Sequence, residues 1–418
     1  MAKRRDLFIG LPISAALALL ALPGQSMTNT PNIASFGKIF NYLKDPTLRL
    51  KEAGNAPLRV EGALFSGEHF EDIEWRNVSF INCDFVGGYE ISLTQCVNVN
   101  FVGCRFSGVL SWGDTLNVRF LRCAWTGQSV MYGEAKSKNT VFEACTFVGT
   151  SSDKNNWGAV GTHGEAAFIG CKAKWFNLDG DATLTLRDCE LENVICEPSN
   201  KYGGSQVLIE KCKFRGLFRM SGSGTLLQSL AIRDTQIDNL DLSSVTVKGD
   251  VVMERVKGLK MNLALASAGA VDLKEVQISG SGPKVFYLAA NRCRSVLLEN
   301  CKLPSNPGDE KAWIGGAAKE PAYKVRPPIS QSVTLRRSRL PELDLSYLNT
   351  ARLSIDNCEL DRVDITNGSL GAIELLNTNF SFTLDLSNTH ASSFKQTGGT
   401  NLSKLGGLKL DGSNVKVN

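Results

Sequence analysis

Five residues in one stretch carry the groups that acid–base catalysis uses: Asp153, His163, Glu165, Asp179 and Asp181. Carboxylates and an imidazole converging on a groove can protonate a leaving group and activate water. Asp179 and Asp181, from NLDGDA (177–182), are two apart and share a face if the stretch is a strand. The competing reading is turn chemistry, since Asp beside Gly is what tight turns favour. No H-E-x-x-H, G-x-S-x-G or P-loop occurs, and His69 and His390 are the only other histidines. A second set suits binding rather than catalysis. Trp157, Tyr202, Trp313, Tyr323 and Arg326 lie in three insertions into the repeat, TSSDKNNWGAVGTHGE (150–165), EPSNKYGGSQ (197–206) and PSNPGDEKAWIGGAAKEPAYKVRPPISQ (304–331), each following a C-x-F strand and hence expected at one and the same corner. Exposed aromatic rings and Arg serve sugar stacking and protein hot spots. The alternative is that each ring pins its own loop.

Twelve cysteines invite disulfides or a metal centre. No C-x-x-C occurs and the inward series lacks ligand partners, so no tetrahedral site is indicated. No cofactor is implied. Nine cysteines instead hold one recurring position: Cys83, Cys104, Cys123, Cys145, Cys171, Cys189, Cys212, Cys301 and Cys358. Thr235, Val256, Val276, Ser338 and Thr378 replace them in the other copies. A position that exchanges Cys with Val and Thr asks for a small packed side chain. Cys96, Cys196 and Cys293 fall outside this series.

The recurrence itself points to the elements that must position these groups. Residues 65–85 read FSGEHFEDIEWRNVSFINCDF, with an aromatic at every fifth place: Phe65, Phe70, Trp75, Phe80 and Phe85. A helix repeats every 3.6 residues and a strand every 2, so neither alone gives five. Two places before each aromatic stand Ala63, Glu68, Ile73, Val78 and Cys83, four of them small or apolar. A short strand with two inward side chains and a two-residue corner accounts for both, and four corners close a coil of about twenty residues. VSFINCDF (78–85) returns as VNFVGCRF (99–106), VRFLRCAW (118–125) and onward to IELLNTNF (373–380), fourteen copies in all. Repeats of this length indicate a solenoid.

CDF (83–85), LDL (240–242), LDL (343–345) and VDI (363–365) resemble the motif of the pentapeptide-repeat family, over residues 63–386. The resemblance implies an all-β, right-handed, four-sided parallel β-helix. Between about 86 and 230 the frame slips, and a less regular right-handed β-helix, similar to polysaccharide lyases, is the alternative there. THG (162–164) is similar to the GHG of polygalacturonase-like hydrolases. It precedes the DGD here, whereas that family's aspartates come first, and the family's RIK-type motif is missing. A gyrase-directed role, known among pentapeptide-repeat proteins, would need a cytoplasmic location and an acidic face, and neither is indicated.

The ends of the chain differ from the repeat. Lys3, Arg4 and Arg5, an apolar run from Leu7 to Leu22, and small residues Gly24 and Ser26 match an export signal over 1–26. Its RRDLF stretch resembles a twin-arginine signal, which implies export to a bacterial periplasm. Residues 27–62 form a cap, with a helix over about 32–44 whose face is Ile33, Phe36, Ile39, Phe40 and Leu43. Residues 387–418 form a last coil and tail. Without 1–26 the chain carries 43 basic and 41 acidic side chains, which argues against general nucleic-acid binding. No later segment is apolar enough to span a bilayer. The leading expectation is an exported, non-catalytic β-solenoid that serves as a binding or structural scaffold, its partner a protein or a polysaccharide. The alternative is a carbohydrate-active β-helix enzyme, a lyase or glycoside hydrolase, working through the five residues named first.

Overall fold

The computed structural model describes residues 36–417, apart from 67–69, 87–89, 108, 127–129, 134–136, 149–157, 163, 181–182, 198–203, 221–224, 282–284, 305–311, 316–329 and 401. It is an all-β parallel solenoid with two short helices at its N-terminal end. One regular coil shows why. In 333–350 the pairs Val333/Leu335, Ser338/Leu340, Leu343/Leu345 and Leu348/Thr350 are all buried. These are four sides with two inward residues each, as the period of five requires.

The corners between sides are of two kinds. At Arg337 and Tyr347 the backbone turns through the left-handed region, with φ of 47° and 56°. That conformation breaks a strand. At the other two corners the strand bends but continues, as Asn349–Asp356 and Glu359–Asp364 do. Kinks therefore alternate with bends, and the rod is built from a 17-stranded and a 22-stranded sheet, each wrapping two sides. Coils stack in parallel and in register, for example Val78 on Val99 on Val118. The sides are numbered here one to four, starting with the strand that ends two residues before the recurring cysteine position.

In the first coils the fourth side shrinks to one inward residue. Trp75, Cys96, Thr115 and Ser137 form that column, all buried and joined by main-chain bonds from one coil to the next. A left-handed residue stands on both flanks, such as Gln95 and Asn98. Beyond residue 86 this shortened side is one contribution to the slipping frame. It also gives Cys96 a packing role. On its second flank the left-handed residues are Asn77, Asn98, Asn117 and Asn139. Asn tolerates this conformation best after Gly. Each amide donates to the Oδ1 of the one before, at 2.8–2.9 Å.

Phe80, Phe101, Phe120, Phe142 and Phe168 stack face to face at 4.6–5.0 Å. Phe65, Phe85, Phe106, Trp125 and Phe147 make a second column at 4.7–4.9 Å. The cysteine position lies between these columns, where only a small side chain fits.

The first coil is sealed by α1 (Phe36–Lys44) and α2 (Pro46–Ala53). Ile39, Phe40 and Leu43 pack on the core as expected; residues 32–35 lie outside the described residues. Pro46 does more than end the first helix. It opens the second at N1, with Asp45 as N-cap accepting from the Leu48 N–H at 2.9 Å. Buried Arg49 donates to the carbonyls of Arg76 and Ala56, and Trp75 Nε1 donates to the Leu43 carbonyl. These bonds satisfy backbone groups that the end of a stack would otherwise leave open. No described helix is long and apolar enough to cross a membrane.

Candidate functional site

Of the five acid–base candidates, Asp153, His163 and Asp181 lie outside the described residues. Glu165 is an exposed corner residue whose N–H donates to the Ser137 carbonyl and whose own carbonyl accepts from Thr140. Asp179 stands on the strand Lys172–Gly180, between Gly161 and Glu197 of the neighbouring coils. Glu165 therefore follows the corner that ends side three, whereas Asp179 stands on that side. The glycine of THG has a structural cause. A Cβ on Gly164 would lie 2.0 Å from the Ser137 carbonyl oxygen, so the closeness of the coils demands glycine.

Among the aromatic and basic candidates, Trp157, Tyr202, Tyr323 and Arg326 lie outside the described residues. The main chain of Trp313 sits on side three, between Tyr287 and Asp344. The anchors of the three irregular stretches correct the expected layout. Gly158–Thr162 is a strand of the frame, paired with Val130–Gly133, so only 149–157 interrupts the first stretch before it. The strand Glu190–Glu197 carries the chain past side three before 198–203. The third stretch is two interruptions, 305–311 and 316–329, with Ala312–Trp313 holding side three between them. All three had been expected at a single corner. They fall instead at two corners, and these bound side three.

Side three carries the motif's aspartates and, beside them, aromatic rings that the sequence did not announce. Asp344, Asp364 and Asp385 occupy one outward column. Each turns its Oδ1 to the N–H two residues on, of Ser346, Thr366 and Ser387, at 2.8–3.0 Å. This is how the Asp of the five-residue motif caps its corner. At Asp385 burial works to raise the pKa. The Ser387 bonds and Lys409 outweigh it and hold the carboxyl below its ordinary value. Two aromatic rings flank the column. Phe382 is 60% exposed, with Arg362 over its ring at 5.9 Å. Tyr347 is 48% exposed and occupies a left-handed position that Ser244, Asn367 and Asn388 fill in other coils. A bulky residue there is a marked outlier.

Beside Tyr347, one side chain links coils that lie two apart in the stack. Asn291 is buried, donates from Nδ2 to the Tyr347 carbonyl at 3.0 Å, and accepts at Oδ1 from the Asn349 N–H at 2.8 Å. These partners are two coils along the stack. The intervening coil is the one whose residues 316–329 lie between Gly315 and Ser330. Asn291 thus gives the Tyr347 carbonyl a donor and the Asn349 N–H an acceptor from a side chain two coils away.

Away from side three, the charged groups are largely spent on one another. Arg187, Glu210, Arg233, Glu254, Lys274, Glu299, Arg336 and Asp356 stand in register at the corner after side one, with strictly alternating sign. Ion pairs link Arg187–Glu210 at 3.0 Å, Arg233–Glu210 at 3.7 Å and Arg336–Asp356 at 3.4 Å. The next column runs Asp188, Lys211, Asp234, Arg255 and Glu275, in opposite phase. Arg255 holds the Asp234 carboxyl below its ordinary value. The basic cluster of Arg336, Arg337 and Arg339 is therefore neutralised, by Glu299, Asp356 and Glu359.

No family model and no curated protein matches the chain. A solved structure of a trypsin-treated form of QnrB1, a plasmid-mediated fluoroquinolone resistance protein, is similar at 13% identity over 86% of this chain and 92% of its own. Its TM-score is 0.10, so the likeness carries no argument, and the fold stands on the register given above.

Proposed function

We propose that this chain is an exported, non-catalytic scaffold that holds a macromolecular partner, a protein or a polysaccharide, against side three. The observation that carries the reading is the Asn291 bridge. Asn291 links coils that lie two apart where 316–329 depart from the repeat in sequence, and irregular stretches on a rigid frame are where binding is usually placed. Exposed Phe382 and Tyr347 supply aromatic contacts on the same side. Export to the periplasm belongs to the proposal and is supported by the layout of residues 1–26.

The test is site-specific photocrosslinking in the producing cell. A crosslinker at Asp364 (side three) is compared with one at Thr185 (side one), followed by fractionation and mass spectrometry. Adducts confined to Asp364, in the exported fraction, and lost when 305–311 and 316–329 are removed, support the reading. Equal adducts from both sides, or adducts indifferent to the deletions, overturn it.

A further inference from the structure

Side two turns two side chains outward in each coil. In six successive coils these pairs are Thr146/Val148, Lys172/Lys174, Glu190/Glu192, Lys213/Arg215, Gln236/Asp238 and Lys257/Leu259, stacked in register. Along the rod the second column runs apolar, positive, negative, positive, negative, apolar. Lys172 pairs with Glu190 at 3.6 Å. Lys174, Glu192, Lys213 and Arg215 form no ion pair among the described residues, although each has an opposite charge beside it in register. The ladder after side one differs, because its charges bond to one another. Val148 and Leu259 are 45% and 44% exposed and stand equally far from the middle of the series. A groove of about 280 Å³ opens on this face, lined by Val148, Ala173, Lys174, Leu191, Glu192 and Arg215.

We infer that side two is the interface with a second copy of this chain, laid antiparallel along it. The two-fold axis lies in the interface, along the strands, between the coils of Glu192 and Arg215. Rotation about it reverses the order of the coils and keeps each column on itself. Glu192 then faces Arg215 of the copy, Lys174 faces Asp238, and Val148 faces Leu259, each contact made twice by symmetry. In the first column Glu190 faces Lys213, Lys172 faces Gln236, and Thr146 faces Lys257. No like charges meet in these six coils, and Leu259 of the copy arrives at the Val148 end of the groove. Farther out Arg105 meets Lys302 of the copy, but Arg105 is already held by Asp84 at 2.6 Å. An axis set on a coil, rather than between two, would oppose Glu192 to itself and Lys174 to Arg215. An axis moved one coil along would part Val148 from Leu259. Such a contact closes on itself, so it yields a dimer and not a filament. It also leaves side three of both copies facing the same way, side by side.

The experiment measures the mass of the full chain by light scattering at micromolar concentration, in low and high salt. A dimer is expected, weakened by salt. Glu192→Arg and Arg215→Glu each set like charges against the copy twice, and each should lower dimer affinity about a hundredfold. Mixed in equal amounts, the two variants should recover the dimer, because every facing pair is again opposite in sign. That recovery cannot come from contacts within one chain. Chains carrying Val148→Cys and Leu259→Cys, once mixed, should be joined by a thiol crosslinker of about 10 Å, the spacing of packed sheets. Neither should be joined alone, since its two new thiols lie about 24 Å apart along the axis. A monomeric wild-type chain, no recovery on mixing the charge variants, or crosslinking of Val148→Cys with itself overturns the inference.

Discussion

At the scale of single residues, this fold depends on what cannot be placed at a position as much as on what is. Gly164 is the sharpest case, because a methyl group there would meet the Ser137 carbonyl at 2.0 Å. Gly164→Ala should cost about 2 kcal/mol, the usual range for overpacking, readable as a lower denaturant midpoint at constant m-value. The thiols make a second prediction, in pH. Burial pushes Cys96 and Cys293 up to about 12, and Cys301 and Cys358 to about 11. A thiol whose folded pKa is raised stabilises the fold fully below its unfolded value of about 8.5 and loses that contribution as pH rises through the folded value. Thermal stability should therefore fall steeply between pH 9 and pH 12, and fall less in Cys301→Val with Cys358→Val. A flat profile across that range would contradict burial of these groups. Acid acts in the opposite sense at Asp84 and Asp234, held low by Arg105 and Arg255. Their small contributions are present above about pH 4 and lost as pH falls through the folded values.

At the scale of the strand and its corner, the alternating ladder should act as a register key. Val207, Leu230, Val251 and Val271 start the same strand in successive coils. Removing residues 230–250 deletes one coil and stacks Glu210 on Glu254 and Lys211 on Arg255. Removing 230–270 deletes two, and restores Glu210 on Lys274 and Lys211 on Glu275. The larger deletion should be the more stable, and the deficit of the smaller one should shrink in high salt, which screens like charges at this spacing. Equal stability, or a deficit indifferent to salt, would reduce the ladder to coincidence. The inward pairs were legible in the sequence, because Val78, Phe80, Cys83 and Phe85 recur at fixed spacing and one period explains them all. The ladder was equally present, in the dipeptides before the cysteine position: Arg187-Asp188, Glu210-Lys211, Arg233-Asp234. Seeing it needs the copies aligned vertically, not read along the chain. Asn291 could not be found that way. Its partners are 56 and 58 residues off, and nothing local marks an amide that will link coils two apart. The insertions were misplaced for a related reason. Strands such as Gly158–Thr162 and Ala312–Trp313 are too short and too glycine- or alanine-rich to signal their return to the frame.

For the whole molecule the question is whether the rod is the function or only its support. A spacer would need every coil continuous, and its stability would suffer wherever the chain is shortened. The Asn291 bridge makes the opposite prediction. Replacing 316–329 by two glycines, from Gly315 to Ser330, leaves the Asn291 link in place, and the melting temperature should stay within a few degrees of the parent. Asn291→Ala removes a single side chain and should do far more harm. It leaves the Tyr347 carbonyl and the Asn349 N–H without partners, a loss on the order of 3 kcal/mol. Combining the two separates the causes, because a bridge that works independently of the excursion gives additive losses. Loss of stability on deleting 316–329, with Asn291→Ala neutral, would make the excursion part of the frame. Side three would then lose its claim as the place where a partner is held.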